Sequence, residues 1–349
     1  MTAVRVVEPA DANLHGLASL VKRLALLPRC LSLARVEFAA PGEGTAIVYL
    51  GEGEALDFVR AVLARDLREV RATRVFLWRL GEAIERCSAP GIMLCLELNR
   101  LLGGLVPPGG RLAFPWIRQV VYLKSPQHQE RRRAIEANFG RKVRKYGYRC
   151  HEATDARAVE RFYRDLYVPH LTARHGAAVR LRSLDELRKW AATGFVLQVL
   201  QGETWIAGGI CSVRNERLAV PAFGHLPEAA WPLRRGALSA VYYFLFDCAR
   251  RRGLDVVDLL RSRPHAQDGV YRHKRLWGAC AERDRWVHSA LWLYPPRDSP
   301  IPASCEPLLV WEGNGFAQLG EVLRGSARAG HRQVSSSGGS DGLVDVDRW

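Results

Sequence analysis

The residues with the types and spacings to do chemistry fall in a few stretches. Arg234-Arg235-Gly236 stands directly before an apolar helical run from Ala237 to Arg251. A glycine at a strand-to-helix turn leaves backbone N–H groups free behind it, and arginines beside it add charge. Such a turn suits a phosphate or an oxyanion, although an ordinary helix start with solvated arginines has the same composition. Further on, Asp258-Leu259-Leu260-Arg261-Ser262 precedes Asp268-Gly269-Val270-Tyr271-Arg272-His273-Lys274-Arg275-Leu276-Trp277-Gly278. Histidine titrates near neutrality, which makes His273 a candidate proton acceptor. Neighbouring helical side chains point in different directions, so His273 and Lys274 need not share a site, and a packed histidine is the plainer state. Asp258 is a candidate to orient Arg261 or Lys274, or to satisfy backbone donors where its strand closes. Arg131, Arg132 and Arg133, then Arg141, Lys142, Arg144 and Lys145, recur at intervals that put cations on one helical stripe. That is the layout of an RNA-phosphate track and equally of a solvated face.

These residues need elements to hold them. Apolar periodicity predicts short strands at Ala34 to Phe38, Ala46 to Leu50, Val75 to Leu77, Ile92 to Leu98 and Val120 to Leu123, with helical patterns at Asp11 to Leu27 and Glu54 to Leu67. From Gln127 to Tyr146 the chain is helical in propensity and strongly basic. A second module then reads as strand, two helices with Asp155 capping the first, and strands at Phe195 to Leu200, Trp205 to Val213 and Arg217 to His225. Their tight turns, Gln201-Gly202-Glu203 and Asn215-Glu216, predict antiparallel pairing. After the Ala237 helix come a strand at Asp255 to Leu260, a short helix around Tyr271 to Leu276 and a strand at Trp286 to Trp292. The Gly42-x-Gly44 and Gly51-x-Gly53 patterns read as turns, because Glu43, Glu52 and Glu54 beside them repel phosphate.

At 349 residues the chain has room for two domains. Its 48% hydrophobic content can build cores, and the formal net charge of +15 makes polyanions natural partners. The eight cysteines contain no C-x-x-C pair and most sit in apolar runs, which argues for reduced core thiols and against zinc, so no metal is expected. No export signal and no apolar run near the roughly 20 residues of a bilayer span is visible, and a cytoplasmic protein is expected. Ser335-Ser336-Ser337-Gly338-Gly339-Ser340 lies in a segment with little apolar surface to repay ordering.

The strand ending in Asp-Leu, the loop and the aromatic-Lys-x-x-aromatic-Gly block resemble the C-terminal half of Fem-like (FemABX) peptidyltransferases and of related polysaccharide-associated acetyltransferase-like proteins. Both use variants of the GNAT fold. The resemblance spans Val120 to Trp292, centres on Lys274, and departs at His273, where the family has Phe. Glu97-Leu98-Asn99 and the order of elements liken the N-terminal third to the family's degenerate first GNAT domain.

The resemblance implies an α/β (α+β) chain of two tandem GNAT-like domains, each a mixed, mostly antiparallel sheet flanked by helices. The domains expected are residues 1–125 (degenerate), a basic linker helix at 126–146, a catalytic domain at 147–300, an extension at 301–327 and a disordered tail at 328–349. It also implies a transferase moving an aminoacyl group from aminoacyl-tRNA to an amine on a peptide, sugar or small metabolite, with no tightly bound cofactor and tRNA as partner. In that reading Lys274, with His273 and Asp258, carries catalysis; Arg234, Arg235, Gly236, Arg261, Arg272 and Arg275 bind the donor; and Arg131, Arg132, Arg141, Lys142, Arg144 and Lys145 bind RNA. An acyl-CoA-dependent N-acyltransferase is the alternative, although Leu233 and Leu238 depart from the usual acetyltransferase phosphate-loop pattern. A non-catalytic RNA- or polysaccharide-binding protein is the third reading.

Overall fold

The computed structural model describes residues 32–40, 45–87, 89–176, 181–226, 236–284, 287–296 and 299–332. The chain divides into two compact units, Met1–Pro115 with Arg285–Trp349, and Trp116–Asp284. Both are mixed α/β, each built on a mixed sheet with helices against it.

The first unit begins with β1 (Ser32–Ala39), β2 (Thr45–Gly51), helix α1 (56–63), β3 (Arg68–Phe76), helix α2 (Leu80–Cys87), β4 (Met93–Asn99) and β5 (Arg111–Ala113). The second unit holds β6 (Ile117–Tyr122) and a long helix α3 (126–145, with a π turn at Glu136–Gly140). It continues with β7 (Tyr148–Ala153), helix α4 (156–175, with a π turn at Phe162–Tyr167), α5 (Leu184–Ala191), β8 (Gly194–Gln201), β9 (Thr204–Arg214) and β10 (Arg217–His225). Helix α6 (Ala237–Arg251), β11 (Val256–Ser262), α7 (Gly269–Leu276) and β12 (Cys280–Arg283) complete it. The chain then returns to the first unit with β13 (Ser289–Tyr294), β14 (Leu309–Glu312), β15 (Gly315–Gln318) and α8 (Leu319–Arg332).

The first sheet runs β15-β14-β5-β13-β4-β2-β1-β3, and its parallel pair is β2 with β4. The second runs β12-β6-β11-β10-β9-β8-β7, and its parallel pair is β10 with β11. In the second unit, side chains alternate across the strands. Phe195, Leu197 and Val199 of β8 join a core with α6 residues Val241, Leu245 and Phe246, while Val196 joins a core on the other face with Phe162, Leu166 and Leu187. Asp155 caps α4 by accepting from the Ala158 N–H, as its position predicts.

Several boundaries differ from expectation. β6 lies in the second unit, which moves the expected border at 125 back to Pro115. β13, expected to close the second module, pairs instead with β4 and β5 of the first unit. The basic helix is no linker: Ile135, Phe139 and Val143 of α3 belong to the second unit's core. Residues 301–327 supply β14, β15 and most of α8, which continues as helix to Arg332, past the expected start of the tail at 328. The rest of that tail, the Asp11 to Leu27 pattern and Gly42-x-Gly44 lie outside the described residues.

Candidate active site

The site is built on a break in the second sheet. β10 and β11 are laddered only at Arg217↔Val256, Leu218↔Val257 and Ala219↔Asp258. At that level β10 shifts register against β9 between Ala219 and Ala222, and β11 shifts against β6 between Asp258 and Arg261. Such irregularities bend a strand. With one in each strand, the parallel pair separates toward its C-terminal ends. Leu260 takes φ 60°, a left-handed conformation uncommon for a branched side chain. Asp258 holds it there: Oδ1 accepts from the Leu260 N–H at 2.9 Å, and Oδ2 accepts from Arg118 at 2.5 Å. Arg261 is ion-paired with Asp284, so it is engaged at the sheet edge.

Lys274 braces the bent strand. Its side chain is 4% exposed, and Nζ donates to Leu260 O at 3.3 Å, Arg261 O at 2.8 Å and Ser262 Oγ at 3.1 Å. Ser262 in turn donates to Gln119 Oε1 at 2.5 Å, and Gln119 Nε2 donates to Tyr271 O. Burial pulls the Lys274 ammonium down to about 7, against the attraction of Asp258 and Asp268. Asp268 caps α7 by accepting from the Tyr271 N–H at 2.9 Å.

Beside the break lies a stack of rings. Tyr242 of α6 stacks on Phe223 of β10 with ring centres 5.0 Å apart and on Trp277 at 5.4 Å, and meets His273 edge-on at 5.0 Å. The Trp277 indole N–H donates to His273 Nε2 at 3.4 Å, and burial, then Lys274 and Arg174, lowers the His273 pKa. Arg174 of α4 also acts on the Tyr242 hydroxyl. One turn back on α4, the His170 ring sits edge-on to His225, the last residue of β10, at 4.0 Å. The structure thus groups His170, Arg174, Phe223, His225, Tyr242 and His273 around the C-terminal end of β10. That is the end at which open α/β sheets bind ligands.

Helix α6 is the crossover between the separated strands, so its N-terminus stands at this same end. Gly236 precedes it at φ 83°, where a side chain would be strained. A Cβ there would lie 3.3 Å from the Lys142 side chain, so the stem of that lysine runs over the helix start. Arg234 and Arg235 lie outside the described residues. Of the other expected cations, Arg131 turns inward and donates to Arg275 O at 2.9 Å. Arg132, Arg133 and Arg144 line a cleft with Gln129 and Glu136. Arg141, Lys145 and Arg272 are exposed and Arg275 is half-buried.

Sequence reasoning named Lys274, His273 and Asp258 as catalytic candidates but missed Arg118, Gln119, His170, Arg174 and His225. The signal for His225 was a polar residue closing an apolar strand; nothing local connects it to His170 on a distant helix.

No family model and no curated protein matches the sequence. Solved structures do. L-PGS from Bacillus licheniformis aligns at 12% identity and a TM-score of 0.38, covering 76% of this chain and 82% of that one. The C-terminal DUF2156 domain of a putative lysylphosphatidylglycerol synthetase from Agrobacterium fabrum aligns at 12% and 0.37, covering 78% and 83%. A putative GNAT-family acetyltransferase from Novosphingobium aromaticivorans DSM 12444 aligns at 16% and 0.30, covering 58% and 73%. At these values the site rests on its own geometry. Among the described residues no group of three or more His, Cys, Asp or Glu could hold a metal, and no helix is long and apolar enough to cross a membrane.

Proposed function

We propose that the second unit is an acyltransferase that moves an aminoacyl group from aminoacyl-tRNA to an amine. The observation that carries this reading is the separated β10–β11 pair with the N-terminus of α6 at its open end and Lys142 lying across Gly236. Free N–H groups at a helix start attract a phosphate, and the ammonium of Lys142 adds to that attraction. The facing edges of β10 beyond Ala219 and β11 beyond Asp258 offer backbone donors and acceptors to an extended donor arm. Arg132 and Arg133 continue the positive charge along α3, the helix that carries Lys142, which suits a donor with many phosphates, while Arg144 is ion-paired with Glu136. In this reading Lys274 and Asp258 keep β11 in its bent course, while His273 packs the floor of ring stacking.

The same gap supports a second reading, an acyl-CoA donor, because an extended chain of amides fits between two strand edges. Binding of bulk aminoacylated tRNA at increasing salt separates the two. Release of counterions from several phosphates lowers affinity by about 10³-fold or more between roughly 50 and 200 mM salt, and Lys142→Glu weakens binding further. Affinity that ignores salt, with thermal stabilisation by acetyl-CoA alone, selects the second reading.

A further inference from the structure

We infer that His225 is the proton acceptor of this site, the group that takes the amine proton as the new amide bond forms. The inference rests on the acyltransferase reading above. The three catalytic candidates of the sequence, Lys274, Asp258 and His273, are already engaged. Lys274 Nζ has three oxygen partners, Asp258 accepts from Arg118 and Leu260, and His273 Nε2 faces the Trp277 indole N–H.

His225 is arranged differently. Its Nδ1 lies 2.8 Å from the carbonyl oxygen of Leu226, which can only accept, so in the neutral ring Nδ1 carries the proton. The lone pair is therefore on Nε2. That atom is buried, in a side chain of a residue only 5% exposed, and has no hydrogen-bond partner among the described residues. A buried acceptor left without a partner is rare in folded proteins and calls for a reason. A ring oriented through Nδ1–H to a carbonyl, with Nε2 left unpartnered, is how histidine is prepared to act as a base. The ring of His170 on α4 packs against it at 4.0 Å and limits its rotation. The placement also fits, because His225 ends β10 where the strand has left its parallel neighbour.

The step balances without an added reactant. The amine lone pair forms the N–C bond to the ester carbonyl carbon, whose π pair moves onto its oxygen, and the N–H proton passes to His225 Nε2. The tetrahedral centre then collapses: the C–O ester bond breaks, the leaving oxygen keeps the pair, and Nε2–H returns the proton to it. His225 ends as it began, and nothing is oxidised or reduced.

Two measurements on the full chain test this. In a long-range ¹H–¹⁵N spectrum of histidine-labelled protein near pH 7.5, assigned by its loss in His225→Gln, His225 shows the tautomer with the proton on Nδ1. A proton on Nε2 overturns the inference even if the variant folds poorly. In the second, ethylamine serves as the acceptor and bulk aminoacylated tRNA as the donor. His225→Gln binds the donor like the wild type and transfers about 10²-fold more slowly, the lower range for losing a positioned acid–base group. Wild-type rates in His225→Gln overturn the inference and leave the acyltransferase reading standing. A wild-type protein inert toward both aminoacylated tRNA and acetyl-CoA overturns that reading, and the role of His225 with it.

Discussion

An ammonium carries three N–H donors, and Lys274 meets three oxygens on one short stretch of β11. Replacing it with methionine keeps the stem but leaves Leu260 O, Arg261 O and Ser262 Oγ short of a donor in a buried place. Each such group costs about 1–3 kcal/mol, so Lys274→Met lowers the unfolding free energy by at least about 2 kcal/mol, measurable by urea denaturation. An unchanged midpoint would show that β11 does not lean on the ammonium. His128 gives a second prediction on this scale. Burial first, then Arg250 and Arg132, holds its imidazole at about 4, below the usual 6.5. Between those values the unfolded chain binds more protons than the folded one, so stability is intact above about pH 6.5 and declines as pH falls toward 4. His128→Phe removes that proton uptake, and its stability changes less between about pH 7 and 4.5; an equal slope in both proteins would refute the assignment. The Lys274 block was visible in the sequence as a cluster of residue types. That its charge faces carbonyls of a bent strand was not, because the bend arises from register shifts against two separate neighbours.

Elements were legible where the pattern was local. β8, β9 and β10 are apolar runs joined by turns in which Gly202, Asn215 and Glu216 take positive φ, so pairing followed from the sequence. β3 was missed over most of its length because Arg68–Phe76 is rich in arginine and nearly all exposed, leaving no buried face to read. β12 and β15 are four-residue strands whose existence depends on partners far along the chain. The gap between β10 and β11 belongs to this scale too: each strand is an ordinary apolar run, and only the paired register shifts separate them. This is why Gly236, readable as a helix start, could be named a phosphate site without knowing what lay opposite it.

At the scale of the whole molecule, the second unit is one continuous segment and the first is made from two. Trp116–Asp284 contains both cores on the two faces of its own sheet. That segment expressed alone is expected to unfold cooperatively in urea and to keep the salt-dependent binding of charged tRNA. A molten fragment without a sigmoidal transition would show that the division is not one of stability. The two-unit fold was foreseeable from length and element order. The discontinuous border was not, because no local signal tells β13 which sheet to join.

Synthesis adds a direction in time to that arrangement. The first unit's sheet has β13 between β4 and β5, and β14 beyond β5. Both added strands are translated after Asp284. On the ribosome β4 therefore waits with one edge unpaired while the whole of the second unit is made and can fold. During that interval the edge of β4 is exposed to wrong partners. The early half of this protein is thus the half that finishes last, and it is the part of the nascent chain most in need of a chaperone.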